Sequence, residues 1–158
     1  GTIPFGLFFT WVSGAGDVRK IGSGNIGATN VLRTGRKGLA AATLLLDGAK
    51  GAVAVLWIPL SAHYACPLFT GAGPEAIVYA KVVGMFASLL GHSFSCFTRF
   101  RGGKSVATGV GGFLVLFPQG AGIALAIFGL ILATTRYVSL GSMLGAVSMP
   151  RLSMRCRI

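Results

Sequence analysis

Apolar and polar residues follow one another along this chain in long blocks rather than at the short periods of a soluble domain. Thr2–Val12 is apolar, Ser13–Gly38 polar and Gly38–Ala65 apolar, and after a turn region Ile77–Leu90 is apolar again. A second polar stretch, Gly91–Thr108, precedes the block Val106–Thr135, and Tyr137–Met149 closes the pattern. Such blocks predict membrane-spanning helices, since about twenty apolar residues in a helix cross the hydrocarbon layer. Thr2–Val12 is too short to span and reads as the end of a first transmembrane helix whose beginning is absent from the chain. Gly38–Ala65 and Ile77–Leu90 read as one crossing each, with an outer turn marked by His63, Pro67, Gly71, Gly73, Pro74 and Glu75. Val106–Thr135 is too long for one untilted span and holds Pro118, Gln119 and Gly120, which predicts two short helices joined by a turn. The expected fold is all-α: a polytopic transmembrane helical bundle with short and broken helices and cytoplasmic-face loops. Residues 1–150 read as a single membrane-integral domain, and 151–158 (RLSMRCRI) as an atypical basic tail.

Composition narrows this picture. With 53% hydrophobic residues, 11% charged residues and a mean hydropathy of +0.76, the chain cannot cover a soluble globule with polar surface. Its formal charge of +11 comes from fourteen Lys and Arg against only Asp17, Asp47 and Glu75. In so apolar a chain this charge implies loops lying on an anionic membrane face, or anionic substrates. The basic residues form short clusters between spans, not one aromatic-rich stripe, which disfavours nucleic acid. Arg19, Lys20, Arg33, Arg36 and Lys37 place the first polar stretch inside, and Arg99, Arg101 and Lys104 do the same for the second. Cys66, Cys96 and Cys156 are scattered, so neither a disulfide framework nor a zinc site is indicated, and no cofactor is expected. Asp47 and Lys50 interrupt an apolar block; three apart on a helix they share a face and can pair, either as a structural tie or at the edge of a site.

Candidate chemistry lies in the polar stretches. Gly22–Arg33, GSGNIGATNVLR, combines three glycines, Asn25, Asn30, Ser23, Thr29 and Arg33. Glycines let backbone N–H groups turn toward one point, and a helix opening near Ala28 would direct its positive end there, so the stretch is suited to hold a phosphate. It also satisfies G-x-G-x-x-G, but the polar Gly16–Lys20 before it and the membrane-like sequence after it exclude a dinucleotide fold. In Gly91–Thr108, GHSFSCFTRFRGGKSVAT, Gly102 and Gly103 free the backbone for close approach and Lys104 supplies a charge just before a helix. A Walker A loop would need glycine at Thr98. His92 reads as positional, because no carboxylate lies near it in sequence to orient it as a base. Ser139 and Ser142 in YVSLGSM share a helical face.

Taken in order, GSGNIGATNVLR, LLDGAKG, GHSFSCFTRFRGGKSVAT and RYVSLGSM resemble the successive signatures of the bacterial acyl-phosphate:glycerol-3-phosphate acyltransferases, the PlsY family, from Ile3 to Pro150. The resemblance implies a multi-pass inner-membrane enzyme with its active face cytoplasmic. Such an enzyme transfers a fatty acyl group from acyl phosphate to the 1-hydroxyl of glycerol 3-phosphate, giving lysophosphatidic acid and phosphate, and a partner enzyme supplies the acyl phosphate. By the same resemblance Gly24, Asn25, Gly27, Ala28, Thr29 and Asn30 would cradle one phosphate. Ser23, Arg33, Lys104 and a serine of the third stretch, Ser139 or Ser142, would surround the other. His92, Arg101, Gly102 and Gly103 would complete the substrate contacts, and Ser23, Arg33 and Lys104 would be the catalytic groups. The H-x-x-x-x-D motif of other glycerophosphate acyltransferases is missing, since Phe97 follows His92 and Leu68 follows His63 at that spacing. Direct attack by the glycerol hydroxyl is therefore expected, without an acyl-enzyme. Alternative readings are an acyl-CoA-dependent acyltransferase and a small phosphate or phosphoester transporter; polar stretches at one surface rather than at mid-membrane disfavour the transporter. Beyond Pro150 the family pattern continues into a further span and signature, so Arg151–Ile158 is expected to mark a truncation.

Overall fold

The computed structural model describes residues 1–63, 73–137, 139–145 and 147, and all regular structure among them is helical. The helices are α1 (Phe5–Val12), α2 (Ala28–Leu32), α3 (Lys37–His63), α4 (Pro74–Ser93), α5 (Val106–Leu116) and α6 (Pro118–Thr135). Single 3-10 turns lie at Val18–Lys20 and Cys96–Thr98, inside the two polar stretches, and 139–145 is also helical. The chain forms two compact units, Gly1–Gly112 and Phe113–Ile158.

At 1.5 Å per residue α3 reaches about 40 Å, α4 about 30 Å and α6 about 27 Å. Among the described residues, three segments are long and apolar enough to cross a membrane: Lys37–Ile58, Pro74–Thr98 and Pro118–Thr135. Their outward faces carry Leu45, Trp57, Val83 and Leu130, each at least 66% exposed. Residues of this kind, turned outward along whole helices, need hydrocarbon rather than water around them. The break expected in Val106–Thr135 falls at Phe117. Pro118 then opens α6 at its first position, where a missing N–H costs nothing. The expectation of two short helices holds for α5 but not for α6, whose 18 residues suffice to span. Residues 64–72 of the expected outer turn, and all of 151–158, lie outside the described residues.

Glycines set the packing of the first unit. A Cβ on Gly51 of α3 would run into the Thr108 carbonyl of α5, one on Gly111 into the Gly48 carbonyl, and one on Gly84 of α4 would meet Ile58 Cδ1 at 2.8 Å. With no hydrophobic drive between helices in lipid, such close backbone approach supplies the dispersion contacts that hold them together. In the second unit Gly141 packs against Phe128 and Gly145 against Ala124. A small core of Val18, Ile26, Val31 and Ala40, flanked by Leu7 and Leu39, seats the first polar stretch on α1 and α3.

Candidate functional site

The first polar stretch is a folded loop. Asp17 accepts from the backbone N–H of Arg19 (3.0 Å) and, through both oxygens, from its guanidinium (2.9 and 2.7 Å). These hydrogen bonds hold the Asp17 carboxyl at about 2, well below the usual carboxylate range. The turn so fixed plugs Val18 into the core, fully buried. Gly22 and Gly24 adopt left-handed conformations (φ 54° and 69°) that reverse the chain. Ile26 is buried, and its carbonyl lies so close to Gly6 of α1 that no side chain would fit there.

Asn30 organises this loop. It is 2% exposed, and its Nδ2 donates to the carbonyls of Val18 (2.8 Å), Ile21 (2.9 Å) and Asn25 (2.7 Å). Its Oδ1 accepts the N–H of Ser23 at 3.2 Å. The amide expected to touch phosphate is thus turned inward and holds the loop closed. Part of the expected backbone cradle is likewise engaged: Gly24 N–H donates to the Ile21 carbonyl (3.0 Å) and Gly27 N–H to Asn25 Oδ1 (3.3 Å). Since α2 is only five residues long, little macrodipole stands behind it. The loop presents outward the exposed side chains of Ser23, Thr29 and Arg33. The first-turn N–H groups of Ala28 and Thr29 have no carbonyl within the helix to bond. Arg33 lies along Gly22, where a Cβ would collide with its guanidinium.

The second stretch folds back over the end of α4. Gly102 and Gly103 donate to the carbonyls of Ser93 (3.0 Å) and His92 (3.1 Å). Between them the chain turns through Arg99 and Phe100, both left-handed (φ 54° and 62°), and through the buried Ser95 and Thr98. A Cβ on Gly102 would strike the His92 carbonyl, and one on Gly103 the His92 ring. Both glycines are required by close approach to α4. Arg101 and Lys104 are exposed on this turn. Ser105, also left-handed (φ 55°), donates to the Leu89 carbonyl (2.9 Å) and pairs with Ser93 Oγ at 2.6 Å, ahead of α5.

Both stretches border one open groove of about 720 Å³, walled by Phe5, Phe8 and Trp11 of α1 and flanked by Asp17, Arg19 and Phe97. The trough is apolar along α1, and its one lining cation, Arg19, is paired with Asp17. Ser139 and Ser142 belong to the second unit, on one face of helix 139–145, Ser139 exposed and Ser142 half-buried. Buried behind the second stretch is a contact that local sequence could not reveal: the Asp47 carboxylate of α3 lies 3.7 Å from His92 Nδ1. The expected Asp47–Lys50 pair is present at 2.7 Å.

The family model described as glycerol-3-phosphate acyltransferase matches residues 1–156. The glycerol-3-phosphate acyltransferase of Rhizobium meliloti is 46% identical over 95% of this chain and 66% of its own length. That of Gluconobacter oxydans is 51% identical over 92% of this chain and 64% of its own. Among solved structures, PlsY, an integral membrane glycerol 3-phosphate acyltransferase, superposes in its glycerol 3-phosphate form with a TM-score of 0.78 at 30% identity, covering 94% of this chain and 68% of PlsY. Its lysophosphatidic acid form gives 0.75 at 29% identity, covering 94% of this chain. The chain spans about two thirds of the length of these relatives.

Proposed function

The chain belongs to the glycerol-3-phosphate acyltransferase family, and we propose that it moves a fatty acyl group from acyl phosphate to the 1-hydroxyl of glycerol 3-phosphate at the cytoplasmic face of a bacterial inner membrane. The observation that carries this reading is the groove. Its aromatic wall suits an acyl chain entering from the bilayer, and its polar edge, Asp17 and Arg19, belongs to the loop that also carries Arg33.

The glycerol hydroxyl oxygen attacks the acyl carbonyl carbon, the bond from that carbon to the phosphate oxygen breaks, and inorganic phosphate leaves. The hydroxyl proton passes to phosphate of the substrates themselves. Negative charge grows on the carbonyl oxygen and then on the departing phosphate, and Arg33 and Lys104 stabilise it. Fixed cations act more strongly there than in bulk water because the site borders hydrocarbon of low dielectric. Ser23, beside Arg33 on the exposed edge of the first loop, donates its hydroxyl to the same phosphate. Asn30 holds that edge in place. The product is lysophosphatidic acid, and the donor comes from an enzyme that makes acyl phosphate. The basic clusters of both loops support the cytoplasmic placement.

Single-turnover formation of lysophosphatidic acid in lipid, from acyl phosphate and glycerol 3-phosphate, tests the reading. Product that is lost in Arg33→Ala is expected. Equal or faster turnover with acyl-CoA would replace the donor, and a folded, inserted protein that forms no product with either donor would overturn acyl transfer by this chain.

A further inference from the structure

Three side chains are not used in the reaction above: the buried Asp47 and half-buried Lys50 of α3, and the buried His92 of α4. Asp47 is 2% exposed and His92 4%. Lys50 Nζ lies 2.7 Å from Asp47 Oδ1, donates to the Ile3 carbonyl at 2.9 Å, and sits 5.5 Å from the Phe5 ring centre. Paired in this way, a carboxylate can remain inside an apolar bundle. The same oxygen, Asp47 Oδ1, faces His92 Nδ1 at 3.7 Å, a separation longer than a hydrogen bond, and Nδ1 is buried without any other partner among the described residues. Across the ring, His92 Nε2 lies against Gly103, where a Cβ would overlap it, and the Gly103 N–H is bonded to the carbonyl of His92 itself. The imidazole therefore stands between a buried carboxylate and the backbone that carries Lys104.

We propose that Asp47 is a positioning residue for the acyl transfer: it draws the Nδ1–H of His92 toward α3, and the ring so oriented fixes the Gly103 backbone that presents Lys104. A neutral imidazole carries one N–H, and a carboxylate can only accept, so Asp47 selects the tautomer with the proton on Nδ1 and leaves Nε2 facing the loop. Lys50 neutralises Asp47 and ties it to the segment before α1. This inference rests on the catalytic role given to Lys104 above, but the tautomer can be read independently of turnover.

The test compares two double variants with the unsubstituted protein in lipid. Asp47→Leu/Lys50→Met removes both charges together and leaves no acceptor for His92. Asp47→Asn/Lys50→Met removes the charges but keeps a carbonyl oxygen at the same place. In ¹⁵N-histidine spectra, with His63→Gln used for assignment, the unsubstituted protein is expected to show His92 protonated on Nδ1. The Asn variant keeps that state and the Leu variant loses it. The Leu variant's kcat is expected to fall about tenfold to a hundredfold, as for a catalytic group displaced by about 1 Å. Its KM for glycerol 3-phosphate stays within about threefold, and the Asn variant recovers most of the turnover. A Leu variant with the original tautomer or unchanged kcat overturns the proposal, as does an Asn variant impaired as deeply as the Leu variant. Should the unsubstituted protein show no turnover, acyl transfer by this chain fails, and the spectra still decide the Asp47–His92 pairing.

Discussion

Replacing Asn30 by Asp changes one atom group and separates two roles for this side chain. Nδ2 donates to three carbonyls at 2.7–2.9 Å, and Oδ1 accepts the Ser23 N–H. In the Asp variant an oxygen replaces the donor and faces three carbonyl oxygens, so three attractive contacts become repulsive while the side-chain volume is kept. A net hydrogen bond contributes about 1 kcal/mol, and a buried group left unpaired costs about 1–3 kcal/mol. With the Val18 contact fully buried and the others partly so, a loss of about 3–4 kcal/mol is expected. That corresponds to a Tm lower by about 10 °C for a chain of this size. Asn30→Ala, which loses the bonds without the repulsion, should fall between Asp and the unsubstituted protein. The assay is thermal unfolding in a fixed detergent, alongside binding of glycerol 3-phosphate. If Asn30 bound phosphate directly, both variants would weaken binding and leave the Tm unchanged, and that result would refute the inward role derived from its bonds.

Other expectations follow from the same geometry. Gly111→Ala places a methyl against the Gly48 backbone, which cannot give way as a side chain could, and should cost about 1–3 kcal/mol in unfolding experiments, whereas Gly129→Ala, facing open space, should be neutral. Ser105→Gly relieves a left-handed serine but loses its bonds to Ser93 and Leu89, so it should stay close to the unsubstituted protein in stability, while Ser105→Ala keeps the strain, loses the same bonds and should be about 1 kcal/mol less stable. Gly103→Ala collides with the His92 ring and should depress turnover at least as far as the Asp47→Leu/Lys50→Met pair. Asp17, lowered from 3.8 to about 2 by Arg19, adds stability above pH 4 that disappears as pH falls from 4 to 2. The pair is partly exposed, so the gain is under about 1 kcal/mol, and Tm curves of the protein and of Asp17→Asn should converge near pH 2.

The sequence by itself determined the architecture. Long apolar blocks dictate helices in a bilayer, a proline at the start of α6 dictates the break before it, and an Asp and a Lys three apart on one helix meet because helical geometry makes them neighbours. All of these are local effects, and local periodicity carries them. The two loops were legible as loops, and the fold leaves Arg33 and Lys104 exposed on them. Which way Asn30 faces was not legible, because an amide can bond a ligand or its own backbone equally well, and only the fold placed three carbonyls around it. The N–H groups of Ser23, Gly24 and Gly27 were assigned in the same way, by acceptors that the closed loop brings to them. Nor could spacing reveal the carboxylate beside His92. Asp47 and His92 lie on different helices, and they meet only because glycines let α3, α4 and α5 approach closely enough to bury both. Tertiary structure thus decided which polar groups stay exposed and which hold the loops, since that choice depends on contacts between segments that no stretch of sequence contains alone.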